Sequence, residues 1–114
     1  MLARLRRDLT AAMKARDPVA VAALRSTLAT IANAQALPVT AGQAPAASEH
    51  VAGTTHGLGA TEAPRRELTE ADIRGLVAAE VEERVDAAES LDRLGQGIRA
   101  GELRAQAEYL RRYL

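Results

Sequence analysis

Helical periodicity occupies both ends of this sequence and stops for a long stretch between them. Near the amino terminus, apolar residues recur every three to four positions, at Leu2, Leu5, Leu9, Ala12 and Met13. That spacing places them on one side of an α-helix. From Leu37 to Glu67 the spacing is lost, and three of the chain's four prolines lie there. The core must therefore come from helices at the two ends of the chain.

Boundary signals divide these ends into four helices, predicted over residues 2–15, 18–35, 70–94 and 101–113. Asp17 suits the cap of the second helix, and Pro18 suits its first position. Thr69 and Asp72 form a capping box for the third helix. Gly95 suits the left-handed residue that follows a helix end. A Pro- and Gly-rich segment such as 37–67 cannot offset its ordering entropy, so we expect it to be flexible.

Aromatic residues make up only 2% of the chain, so the core must consist of Leu, Val and Ile packed against Ala. The positions predicted to be buried in the last three helices are Val21, Leu24, Leu28, Ile31, Ile73, Leu76, Val77, Val81, Ala88, Leu91, Leu94, Leu103, Ala107, Leu110 and Tyr113. The sequence thus predicts an all-α, four-helix domain spanning residues 1–114. Two helical hairpins, 1–36 and 68–114, would flank the flexible segment.

Composition also narrows the function classes. Cysteine is absent, which excludes disulfides, thiolate metal sites and cysteine nucleophiles. No apolar run approaches the roughly 20 residues that span a bilayer, and the start lacks a secretory h-region. We therefore expect a cytoplasmic protein without a membrane partner. His50 and His56 have no companion ligands, so we expect neither a metal nor another cofactor.

Glu80 and Arg84 are the least expected residues in the third helix. They are four positions apart, so they face each other, and both fall within the apolar stripe. We interpret them as a structural charge pair, with a functional groove as the alternative. Catalysis by Glu80 together with Glu83 or Asp86 would require a pocket and groups that orient a substrate. Neither is visible in the sequence, so we expect no enzymatic activity.

Basic residues are concentrated in the first hairpin. Residues 1–35 contain six basic and two acidic side chains. The candidate surface for nucleic acid or another partner consists of Arg4, Arg7, Lys14, Arg16 and Arg25, because clustered cations favour phosphate contacts. The alternative is an ordinary charged exterior in which Arg4 pairs with Asp8. Tyr109 and Tyr113 are four apart and are expected to pack the final helix.

The far side of the second helix offers another possible contact surface. Its residues, Ala22, Ser26, Ala29 and Asn33, are small and weakly polar. Such a face allows close helix approach, so a protein partner or a second copy of the chain is also considered.

Several short segments, taken in order, resemble the amino-terminal half of GatB/YqeY-family proteins. They are Ala12-Met13-Lys14-Ala15-Arg16-Asp17, Leu24-Arg25, Ile31-Ala32-Asn33-Ala34, Glu80 with Arg84, and Tyr113-Leu114. The resemblance covers residues 1–35 and 68–114 and implies a YqeY-like helical domain. Gln35 and Gln106 replace the Glu usual in the family. Members generally continue past Tyr-Leu into a three-helix tail, which this sequence lacks.

The resemblance implies a loose link to tRNA-dependent amidotransferases. We therefore expect a non-catalytic accessory or interaction module whose partner is tRNA or a tRNA-modifying enzyme. Binding of nucleic acid through the basic face of the first helix is one alternative. Family kinship also suggests carbon–nitrogen ligase activity with glutamine as amido donor, but the parts that handle ATP and glutamine have no counterpart here.

Overall fold

The computed structural model describes residues 1–37 and 66–114, and four α-helices account for most of them. They are α1 (Leu2–Ala15), α2 (Pro18–Ala36), α3 (Glu70–Arg93) and α4 (Gly97–Leu110), followed by a 3₁₀ turn over Arg111–Tyr113. The described residues contain no strand, which confirms the all-α prediction. Within these two ranges, none of the helices combines the length and apolar character that crossing a bilayer requires.

Two compact units divide the chain. Met1–Ile31 and Leu68–Leu114 form the first, and Ala32–Glu67 form the second. The described part of the second unit includes the last turn of α2, where the Gln35 carbonyl accepts a hydrogen bond from the Arg66 backbone N–H at 2.8 Å. Apart from Leu37, Arg66 and Glu67, the flexible segment predicted over 37–67 lies outside the described residues.

The turn between α1 and α2 follows the predicted local chemistry. Arg16 adopts a left-handed conformation (φ 55°) that ends α1. The Asp17 carboxylate then accepts the backbone N–H of Ala20 at 3.1 Å, and Pro18 takes the first helical position. Because the cap satisfies a backbone donor that the helix itself leaves free, α2 starts where the sequence predicts.

The ends of α3 also match their signals, whereas the start of α4 does not. Thr69 and Asp72 form the reciprocal capping box, and Gly95 takes a positive φ of 76° after α3 ends. The prediction that α4 begins at residue 101 was wrong, since it begins at Gly97. The Gln96 carbonyl accepts the Ala100 N–H at 3.1 Å, and Ala100 is fully buried. Tertiary burial of Ala100 therefore fixes the first turn despite two poor helix formers, Gly97 and Gly101.

One hydrophobic core draws residues from both ends of the chain. Its buried members are Leu5, Ala12, Ala20, Ala23, Leu24, Ile31, Ile73, Val77, Val81, Ala107, Leu110 and Tyr113. Five alanines in the four helices are at most 1% exposed, including Ala20, Ala23 and Ala88. Small side chains at contact points let helices approach closely. The expected use of alanine in the core is therefore confirmed.

Some predicted core positions are exposed. Met13 is 49% exposed and Leu94 is 71% exposed, so both predictions were wrong. Leu94 has left the helix, with φ −93° and ψ 7°, so the spacing of α3 no longer applies to it. In α2, Val21 and Leu28 are only partly buried, whereas Ala23 and Thr27 are fully buried. The buried stripe of α2 is thus rotated toward its smaller side chains.

Candidate functional site

Glu80 and Arg84 lie in direct contact inside the core of the first unit. Arg84 Nη1 donates a hydrogen bond to Glu80 Oε1 at 2.8 Å and another to the Glu80 carbonyl oxygen at 3.0 Å. Their side chains are only 7% and 9% exposed. At this distance, the attraction between the two charges offsets the cost of removing them from water. Burial of either charge alone would leave that cost without compensation.

Side chains from α2 and α4 complete this buried pair. Ser26 Oγ donates to Glu80 Oε1 at 3.0 Å, and Thr30 Oγ1 donates to Glu80 Oε2 at 2.9 Å. Gln106 Oε1 accepts from Arg84 Nε at 2.9 Å. We call these five residues the polar core network. It links three helices, and sequence reasoning found only the two members that are four residues apart on one helix.

The network determines the protonation of Glu80. Burial acts to raise the pKa of this carboxyl, but hydrogen bonds from Arg84, Thr30 and Ser26 and the positive charge of Arg84 outweigh it. The net result is a pKa below its ordinary value, so the carboxylate is ionised and all its described contacts are donors. A carboxylate held in this way is poorly suited to accept a proton from a substrate.

One neighbouring polar atom is unsatisfied. Thr27 is fully buried, and its Oγ1 has no hydrogen-bond partner among the described residues. It lies on α2 between Ser26 and Thr30, whose hydroxyls both reach Glu80. An unpaired buried hydroxyl costs about 1–3 kcal/mol, which the surrounding core must offset.

The five basic candidates, Arg4, Arg7, Lys14, Arg16 and Arg25, are all exposed. Within residues 1–37 and 66–114, none of them forms an ion pair. The ion pair between Arg4 and Asp8, which belonged to the alternative interpretation, is therefore not formed. Asp8 instead accepts a hydrogen bond from the Tyr113 hydroxyl at 2.5 Å, and the Arg4 guanidinium lies 4.7 Å from the centre of the Tyr113 ring. A buried phenol has displaced the intrahelical cation as the partner of Asp8.

Both tyrosines pack at the end of the chain, as the sequence predicts. Tyr113 is 2% exposed, and Tyr109 meets it edge to face with ring centres 6.1 Å apart. Burial raises the pKa of the Tyr113 hydroxyl, and its hydrogen bonds with Asp8 and Tyr109 raise it further. Tyr113 is therefore a neutral donor to Asp8, and its contact with α1 joins residues 105 positions apart in sequence.

Arg112 is a site residue that sequence reasoning missed. Its guanidinium lies 3.8 Å from the centre of the Tyr109 ring. Two surface depressions, of about 550 and 290 Å³, share Arg112, Tyr109 and Asp17 in their walls. We call them together the Arg112 groove. The sequence signal was the spacing of three between Tyr109 and Arg112, which places both on one side of a helical turn.

The remaining walls of the Arg112 groove are mainly small and apolar. They comprise Asp8, Ala11, Ala12, Ala15, Val19, Ala20, Ala105, Glu108 and Arg111. Elements from both ends of the chain therefore form the groove, and its α1 wall adjoins Lys14 and Arg16 in sequence.

Metal ligands do not cluster in the part of the chain that the structure describes. No group of three or more His, Asp or Glu residues there is arranged to hold a metal ion. His50 and His56, the two histidines considered for metal binding, lie outside the described residues.

Comparison with known proteins adds no relative to this picture. No protein-family model, no curated protein and no solved structure matches the chain.

Proposed function

We propose that this chain is a non-catalytic interaction module of the GatB/YqeY type that binds a partner through the exposed side of α1. The observation that carries the proposal is the placement of charge. Glu80 and Arg84 neutralise each other in the core, whereas Arg7, Lys14 and Arg16 are exposed and form no ion pair with another described residue. Exposed positive charge without a described ion-pair partner is therefore densest on α1 and the turn that follows it.

The resemblance of the sequence to the family favours tRNA or a tRNA-modifying enzyme as the partner. The hydrogen bonds of Glu80 and the lining of the groove favour a binding role over a catalytic one. Glu80, the acid considered for catalysis, accepts three side-chain hydrogen bonds and has a lowered pKa. The Arg112 groove is open to the surface and lined by small apolar and charged side chains, which suits a protein surface better than an enclosed substrate.

A photocrosslinking experiment in native cells tests this proposal. Benzoylphenylalanine at Ala11, which is exposed on α1, should yield a discrete adduct, and the same group at Ala87 on α3 should not. Charge reversal with R7E/K14E should abolish the adduct at Ala11. The matched control R74E/R99E changes the net charge equally, on α3 and α4, and should preserve it. Equal adducts at both positions, or an adduct at Ala11 that survives R7E/K14E, would contradict the proposal.

Nucleic acid is a second candidate for the partner. At 100° per residue, Arg4, Arg7 and Lys14 share one side of α1, and all three are exposed. Each phosphate contact contributes about 0.7–0.9 to the slope of log K against log salt concentration, so three contacts predict a slope of about −2 to −3.

Filter binding with purified tRNA at several salt concentrations measures this slope. We expect R7E/K14E to reduce the slope to about that of one phosphate contact. The control R74E/R99E should leave the slope unchanged. Absence of binding at low salt, or a slope insensitive to R7E/K14E, would exclude the nucleic-acid reading while leaving a protein partner in place.

A further inference from the structure

We propose that the Arg112 groove binds a peptide segment of a protein partner that carries a carboxylate side chain between aliphatic side chains. The inference rests on the proposed interaction function and specifies the chemistry of its partner.

Arg112 is oriented but has no described counterion. Its guanidinium stacks on the Tyr109 ring at 3.8 Å, and the side chain is exposed. In the described ranges it makes no hydrogen bond or ion pair, unlike Arg111, which pairs with Glu108 at 2.9 Å. Stacking occupies the face of the guanidinium and leaves its in-plane N–H groups available. That edge matches a carboxylate, which accepts two parallel hydrogen bonds.

The acids that border the groove already have partners. Asp17 Oδ1 accepts the Ala20 backbone N–H at 3.1 Å, and Glu108 Oε1 accepts from Arg111. Asp8 Oδ2 accepts from Tyr113. Arg112 is therefore the charged residue of the groove that makes no hydrogen bond or ion pair with the described residues, and its N–H groups are the donors left to bind a carboxylate.

The Tyr109 ring beneath Arg112 is held in place without a ligand. Tyr109 contacts Tyr113 edge to face, with their hydroxyl oxygens 3.4 Å apart, and Tyr113 is buried and hydrogen-bonded to Asp8 on α1. A guanidinium stacked on a fixed ring loses less conformational entropy on binding than a free side chain does. Arg112 is thus a preorganised ligand for an anionic group.

The groove walls favour a peptide over a nucleic acid. Ala11, Ala15, Val19 and Ala105 provide small apolar surface for aliphatic side chains beside the carboxylate. Arg112 covers the Tyr109 ring face, so a base cannot stack there as single-stranded nucleic acids usually require. A run of phosphates would also face the negative charges of Asp17 and Glu108, whereas a single carboxylate need only reach Arg112.

The test is an NMR titration of the full ¹⁵N-labelled chain with the peptide N-acetyl-Leu-Glu-Leu-amide. We expect saturable shifts at Ala11, Ala15 and Arg112, with a dissociation constant on the order of 1 mM, which is typical of a short fragment. The Gln analogue of the peptide and the R112Q variant should each bind about tenfold more weakly, as for loss of a charge-assisted hydrogen-bond pair. The control R99Q removes an exposed arginine elsewhere on the chain and should bind like the wild type.

Several results would overturn the assignment. These are equal binding of the Glu and Gln peptides, retention of affinity in R112Q, or shifts that do not saturate. A tighter, Arg112-dependent response to an oligothymidylate would replace the peptide with nucleic acid. If the peptide does not bind while the crosslink at Ala11 persists, only the inference about the carboxylate-bearing peptide is wrong. If the peptide binds but the crosslink is absent, the function proposed for the chain in the cell is wrong instead.

Discussion

Replacing Arg84 with alanine is expected to destabilise the folded chain by about 3–5 kcal/mol. The Glu80 side chain is 7% exposed and would lose its counterion. The hydroxyls of Ser26 and Thr30 would remain as donors, but hydroxyl donors carry no positive charge. Since small domains are stable by only about 5–15 kcal/mol, this change removes a large fraction of the stability of the protein. Urea unfolding followed by far-UV circular dichroism measures the loss.

Two controls separate burial of the charge from loss of the arginine. R104A removes an exposed ion pair with Asp92, in which the side chains are 48% and 45% exposed, and should cost at most about 1 kcal/mol. The double variant E80L/R84M removes both buried charges and should be less destabilised than R84A alone. If R84A costs no more than R104A, the polar core network does not stabilise the fold in the way proposed.

The same network predicts a pH dependence. The pKa of Glu80 is lower in the folded chain than its unfolded value of about 4.3. Its stabilisation is therefore fully present above that value and is lost as pH falls through the lower folded pKa. The stability difference between the wild type and E80Q should shrink over that acidic range. A difference that stays constant would mean that ionised Glu80 contributes nothing.

Local sequence signals predicted the helix ends well where a backbone group needs a specific partner. The Asp17 cap, the capping box of Thr69 with Asp72, and Gly95 each act within a few residues, so no knowledge of the tertiary structure was required. The start of α4 depends instead on burial of Ala100 in the folded chain. The spacing of apolar residues in the sequence does not show such burial.

The candidate site shows the same difference between contacts within one helix and contacts between helices. Glu80 and Arg84 could be paired from the sequence because four positions is one helical turn. Ser26, Thr30 and Gln106 could not be added, since they reach the pair from other helices. Contacts in the folded structure also differ from those considered for some residues in the sequence. Arg4 was considered as an ion-pair partner for Asp8, but the Asp8 carboxylate instead accepts a hydrogen bond from the Tyr113 hydroxyl, 105 residues away in sequence.

Truncating Leu24 to alanine is the second large effect that we expect, at about 2–5 kcal/mol. Leu24 is fully buried on α2 and belongs to the same hydrophobic cluster as Leu110 and Tyr113. The lost methyl groups remove contacts and leave a cavity that close packing fills only partly. The matched control is L28A on the same helix. Leu28 is only partly buried, so its truncation should cost clearly less.

The composition of the chain makes this variant a test of the shared core. The chain contains two tyrosines and no tryptophan or phenylalanine, so its tyrosine fluorescence reports on Tyr109 and Tyr113 alone. Circular dichroism, by contrast, reports on all of the helices. If residues from both ends of the chain share one core, a truncation on α2 must destabilise the surroundings of the tyrosines as much as it destabilises the helices.

The most direct measurement is therefore urea unfolding of the wild type and L24A followed by both signals. We predict that fluorescence and circular dichroism give the same midpoint in each protein, and that L24A lowers both midpoints equally. A tyrosine transition that stays at the wild-type midpoint while the helical signal of L24A shifts would contradict the account. It would mean that the carboxy-terminal helices fold without the amino-terminal pair, so that the walls of the Arg112 groove do not belong to one cooperative structure.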